Sequence, residues 1–173
     1  MPTEISGSTG VDKIQDGSVT SAKIVDGAIT NADINSSVAI GKVLQVVQAT
    51  KNTEIGLSTS YADLMTLTIT PSSSSSKILV SITGGGMANT GDDIYFRLKR
   101  GSTVIYENSR YGYTTNGWTP APWVNQYLDS PNTTSATTYT YSAHRDTTGD
   151  VRFTDLGSSS TNAGVMIAME IGV

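Results

Sequence analysis

Three features of this sequence predict an all-β chain, a sandwich or barrel behind a short repetitive segment. Apolar and polar residues alternate with a period of two through much of the chain beyond Gly41. Clusters of Gly, Ser, Asn, Pro and Thr separate the alternating runs. A ten-residue repeat occupies residues 11–40 and then stops.

The repeat comes first in chain order. Ile14-Gln15-Asp16-Gly17-Ser18-Val19-Thr20-Ser21-Ala22-Lys23 aligns with Ile24-Val25-Asp26-Gly27-Ala28-Ile29-Thr30-Asn31-Ala32-Asp33, and a degraded copy begins at Ile34. Aliphatics thus recur every fifth position at Ile14, Val19, Ile24, Ile29 and Ile34, with Ala39 weaker. Neither helix nor strand has that period over such a length. Asp-Gly suits a tight turn, after which Thr20 or Thr30 caps a single helical turn, with Val19 and Ile24, or Ile29 and Ile34, spaced as a hydrophobic staple. A run of short strands joined at the Asp-Gly turns fits as well, and a polar, Gly-containing linker is the third reading. In an ordered stalk the regular aliphatics need a partner, because so short a segment cannot bury them within itself. Copies of the same chain are the simplest partner.

The head, residues 41–173, reads as about eight strands. Met65, Leu67 and Ile69 alternate with threonines; Pro71 and the serine run to Ser76 form a loop; Ile78, Val80 and Ile82 resume the pattern. Ile94, Phe96 and Leu98 lead through Arg100-Gly101-Ser102 into Val104 to Glu107, a hairpin. Further strands are expected near Trp123 to Leu128, Thr137 to His144 and Val151 to Asp155. The first strand (Lys42 to Thr50) and the last (Gly164 to Ile171) carry apolar groups on both faces, so both faces should be covered. A sandwich with one core covers only one of them. An interface between subunits, built on Leu44 and Val46 of the first strand and Met166 and Ala168 of the last, is therefore expected, together with Ile14, Val19, Ile24, Ile29 and Ile34 of the stalk.

Charge and composition narrow the function. At 173 residues the chain fits one domain with an appendage. A net charge of −4 and a pI near 4.8 weigh against nucleic acid as a partner. There is no cysteine, hence no disulfide or thiolate metal site. Neither a signal peptide nor an apolar run of membrane-spanning length is legible, and synthesis as a soluble cytoplasmic protein is expected.

Sites for chemistry are scarce, and no catalytic residue, metal or cofactor is expected. His144, the one histidine, has no nucleophile elbow or second histidine at ligand spacing. Gly84-Gly85-Gly86 lacks the Lys-Ser/Thr of a phosphate loop and reads as a bend or bulge at a strand end. Asp92-Asp93 lacks the spaced carboxylates of a calcium loop, and nothing in the sequence supports Glu107 and Asp129 as a glycosidase pair. The stretch from Tyr106 to Tyr127 is richer: it holds both tryptophans, Trp118 and Trp123, beside amide and guanidinium side chains and the breakers Gly112, Gly117, Pro120 and Pro122. Rigid aromatics on a loop suit recognition of a sugar or a protein surface. Tyr111, Tyr113, Asn116 and Trp118 are the candidate ligand-binding residues, whereas Trp123 and Tyr127 equally suit the core or a subunit contact.

The repeat Asp-Gly-Ala/Ser-Val/Ile-Thr-x-Ala-Lys/Asp-Ile, followed by a Ser/Thr/Gly-rich β domain ending in Met169-Glu170-Ile171, resembles fibre and appendage proteins of tailed bacteriophages of marine and cyanobacterial hosts. The resemblance covers nearly all of the chain after Gly10. It implies an antiparallel jelly-roll head of the C1q and tumour-necrosis-factor type, an intertwined trimeric stalk at 11–40, and a virion anchor arm at 1–10 that meets other virion proteins. It also implies a virion location and a homotrimeric fibre or spike whose head touches a host-surface glycan or protein. The brevity of the segment ahead of the repeat favours the alternative, a capsid decoration or head-fibre protein that coats or stabilises the shell.

Overall fold

The computed structural model describes residues 20, 24–25, 28–29, 33, 43–88, 93–112, 119–146, 151–153 and 164–172, with backbone alone at 87–88, 109–112 and 119–122. The chain divides into two compact units, Met1–Ala39 and Ile40–Val173. In the first, the Ala28 N–H donates to the Val25 carbonyl at 2.9 Å, a hydrogen bond that brackets Asp26-Gly27. Ile24 and Ile29 are both exposed. Ile14, Val19 and Ile34, and with them the conformation of the repeat and the anchor arm, lie outside the described residues.

The second unit is an antiparallel jelly-roll sandwich. Its ten strands among the described residues are β1 (Val43–Lys51), β2 (Ile55–Gly56), β3 (Ala62–Ile69), β4 (Lys77–Ala88), β5 (Asp93–Arg100), β6 (Thr103–Gly112), β7 (Thr119–Asp129), β8 (Thr137–Arg145), β9 (Val151–Phe153) and β10 (Gly164–Ile171). One sheet runs β1-β10-β4, with β7 on the far side of β4 and the short β9 and β2 beside its C-terminal half. The other runs β3-β8-β5-β6. First and last strands are neighbours, pairing from Val43↔Ile171 to Lys51↔Gly164.

The core lies between the sheets. Alternation delivers Leu67 and Ile69 from β3, Ile78, Val80 and Ile82 from β4, and Ile94, Phe96 and Leu98 from β5 to that space, each 5% exposed or less. A register shift between Asp63 and Met65 in β3 lets two successive residues, Leu64 and Met65, both point inward. Aromatics fill the centre: Phe96 stacks on Tyr141 with centroids 5.4 Å apart, and Trp123 on Phe153 at 4.9 Å. The β5–β6 hairpin turns at Gly101, whose φ of +57° suits a residue without Cβ. β7 accommodates Pro120 and Pro122 because only β4 pairs with it, so its other edge needs no amide donors.

Gly84-Gly85-Gly86 departs from expectation. These residues continue β4 in unbroken register opposite Trp123, Pro122 and Ala121 rather than forming a bend or bulge. The reason is steric. A Cβ on Gly86 would stand 2.0 Å from the Arg152 carbonyl oxygen and 2.7 Å from the Trp123 ring, and one on Gly84 would stand 3.1 Å from Phe153.

Candidate functional site

Among the described residues, the outward side of the β1-β10-β4-β7 sheet carries exposed aliphatic side chains. Reading across the registers, Val46, Met169, Leu79 and Leu128 form one row, Gln48, Ile167, Ser81 and Gln126 a second, and Thr50, Val165, Thr83 and Val124 a third. The first row is wholly aliphatic, and its ends are open: Val46 is 57% and Leu128 54% exposed. Val124, Val43 and Leu44 are exposed too, while Ile167, Met169 and Leu79 are half-buried between their neighbours. Four strands at ~4.8 Å and five residues at ~3.3 Å give a face of roughly 300 Å², aliphatic along the first row and mixed with Gln, Ser and Thr along the other two.

This face corrects one expectation. Leu44 and Val46 are exposed, but Met166 and Ala168 are fully buried and pack in the core. The same parity of β10 carries Glu170, 0% exposed, into the interior. There its Oε1 accepts from the Ser72 amide and hydroxyl, both at 2.7 Å, and its Oε2 from Gln45 Nε2 at 2.6 Å. Burial works against the charge, yet the Gln45 and Ser72 hydrogen bonds outweigh it and hold the carboxyl down at about 2. The outward residues of β10 are instead Val165, Ile167, Met169 and Ile171.

At one end of the sandwich a second buried carboxylate ties the sheets together. Arg100 Nη1 lies 2.8 and 2.9 Å from the two oxygens of Asp129 and also donates to the Ser130 carbonyl at 3.2 Å. The Tyr139 hydroxyl donates to Asp129 at 2.7 Å, and burial together with this bond pushes that hydroxyl well above its ordinary range. Asp129 is therefore a structural tie between β5, β7 and β8, and Glu107 is engaged elsewhere.

Glu107 belongs to an aromatic and charged cluster on the outward side of the β3-β8-β5-β6 sheet. It accepts from the Tyr61 hydroxyl at 2.6 Å. The Arg97 guanidinium carbon sits 3.7 Å from the Tyr61 ring centroid. His144 stacks on Tyr95 at 4.7 Å and 8°, meets Tyr61 edge-on at 4.3 Å, and turns Nδ1 toward the Arg145 carbonyl at 2.9 Å. Beside them Lys99 donates to Asp63 at 2.9 Å, and Ser142 donates to the same oxygen at 2.6 Å. The Ser142 bond first, then Lys99, holds Asp63 below the usual carboxylate range. Burial and the Glu107 hydrogen bond push Tyr61 up to about 12, so it stays a protonated donor at neutral pH.

Of the loop proposed for ligands, Tyr113, Asn116 and Trp118 lie outside the described residues, and Tyr111 is described only as backbone, paired with Ile94 at the end of β6. Trp123 is fully buried, and Tyr127 is half-buried near Tyr106 at 5.8 Å. Alternation along β5 puts Tyr95, Arg97 and Lys99 on one face, whereas the long-range contacts with Tyr61 and His144 are not legible in the sequence. Asp92 lies outside the described residues, and among those described no group of three His, Cys, Asp or Glu side chains is placed to hold a metal ion. No described helix is long and apolar enough to cross a membrane. No protein-family model matches the chain, and no curated protein matches it.

Proposed function

We propose that this chain is a non-enzymatic structural protein of a bacteriophage virion, a homotrimeric fibre or spike anchored through its N-terminal arm, whose head contacts the host surface. The observation that carries the assembly is the aliphatic row Val46, Met169, Leu79 and Leu128 on a sheet face that the subunit itself leaves open. A stable interface takes about 800 Å² per partner, more than the roughly 300 Å² of this face. The exposed stalk aliphatics Ile24 and Ile29 offer further apolar area for the same self-association. The virion assignment rests on the decapeptide repeat and its resemblance to phage appendages. Three heads per fibre and many fibres per particle would multiply a weak host contact through effective concentration.

The alternative role is a capsid decoration or head-fibre protein that coats or stabilises the shell. Immunogold labelling of particles of the encoding phage, with antibody raised against residues 40–173, tests the assignment. Gold on tail fibres or spikes is the expected result; gold on the capsid alone replaces the host-contact role with decoration; unlabelled particles overturn the virion assignment.

A further inference from the structure

The cluster of Tyr61, Tyr95, Arg97, Glu107 and His144 has the composition of a recognition site rather than of a core. All five side chains reach the surface of the β3-β8-β5-β6 sheet, four half-buried and Glu107 exposed. Arg97 is held in place by the Tyr61 ring, yet its side chain makes no hydrogen bond to any described residue; its Nε is buried beyond a ligand's reach, so the open capacity is that of the Nη groups. A guanidinium offers five donors and no acceptor, and fixing one without acceptors wastes that capacity. Glu107 is the converse, a carboxylate with lone pairs to spare beyond the Tyr61 bond.

The charges decide the ligand class. Arg97 and Lys99 are matched by Glu107 and Asp63 within the same patch, so an anion meets the carboxylates and a cation meets the basic groups. A flat apolar ligand leaves guanidinium and carboxylate unpaired. A neutral polyhydroxylated ring satisfies all of it: each hydroxyl both donates and accepts, so neighbouring hydroxyls serve Arg97 and Glu107 together, while its C–H groups rest against the side of the Tyr95–His144 stack. We propose that this face of the head binds a neutral pyranoside through Arg97 and Glu107, with the stacked Tyr95 and His144 rings as its apolar side wall. The site rests on the host-contact reading above and gives it a ligand class and an address outside the Tyr111 to Trp118 loop.

His144 supplies its own reporter, because the chain has one histidine and hence one imidazole Hε1 resonance in a position sensitive to the adjacent Tyr95 ring current. The full-length protein is titrated with methyl α-D-glucopyranoside, methyl β-D-galactopyranoside and N-acetylneuraminic acid while that resonance is followed by NMR. A saturable shift with at least one of the two neutral glycosides, at millimolar concentration, is expected. It should weaken at least tenfold in Arg97→Lys, which keeps the charge but loses the planar fork, and in Glu107→Gln. No saturable shift with either neutral glycoside, or a shift with N-acetylneuraminic acid alone that disappears in 0.5 M salt, overturns the proposal. So does an unaltered response in both variants once circular dichroism shows them folded. If the variants do not fold, the wild-type titration still decides. A failed titration leaves the virion assignment standing, because particle labelling does not depend on sugar binding.

Discussion

Individual residues of β10 separate core from surface sharply. Met166 is fully buried while Met169, three positions on, lies half-buried on the outward face. Met166→Ala is expected to cost about 2–5 kcal/mol, the range for deleting a buried side chain and leaving a cavity; chemical denaturation of each variant should show a much smaller loss of subunit stability for Met169→Ala. Glu170 adds a pH dependence whose sign follows from its depressed folded value. The ordinary carboxyl sits at 4.5 and the folded one at about 2. Its contribution is therefore complete above about pH 4.5 and is lost as the pH falls toward 2. Thermal melts between pH 6 and 2 should show that loss in the native chain and a flatter profile in Glu170→Gln. Gly86→Ala is expected to destabilise by about 1–3 kcal/mol, since the new methyl meets the Arg152 backbone and the Trp123 ring.

Elements differ in how far they can be read from sequence. β5, the Met65 to Ile69 part of β3 and the first half of β4 are legible because one buried face imposes strict alternation, which is a local property. The β5–β6 hairpin is legible because Gly101 meets a positive-φ requirement. By contrast, the two-residue β2 is too short to leave a period. The glycines of β4 look like a break until Trp123 and Phe153 arrive from distant strands to cover them. The interface side of β10 is misread because both of its faces are apolar, so alternation alone does not tell which meets the core; Met166 and Ala168 do, and Gln45 and Ser72 satisfy the Glu170 carboxylate of the same parity inside the sandwich. The same distance problem hid the site around Arg97, whose neighbours are Tyr61, just ahead of β3, Glu107 of β6 and His144 of β8. At this scale the tie between β5 and β7 is testable. Arg100→Met leaves Asp129, whose side chain is 7% exposed, without its cation, and a loss of about 3–5 kcal/mol in urea titration is expected.

For the whole molecule, the proposed homotrimer requires that copies of the chain cover the outward face of the β1-β10-β4-β7 sheet. Val46 and Leu128 stand at opposite ends of one aliphatic row and are exposed within the subunit, so replacing both with Asp opposes assembly without disturbing the core. Light scattering during size exclusion of the full chain measures this directly. A molar mass three times the 18.2 kDa of one chain is expected, falling toward a single chain in Val46→Asp/Leu128→Asp while circular dichroism retains the β signal. A monodisperse 18.2 kDa species at every concentration, or a variant that assembles as the native chain does, contradicts the account.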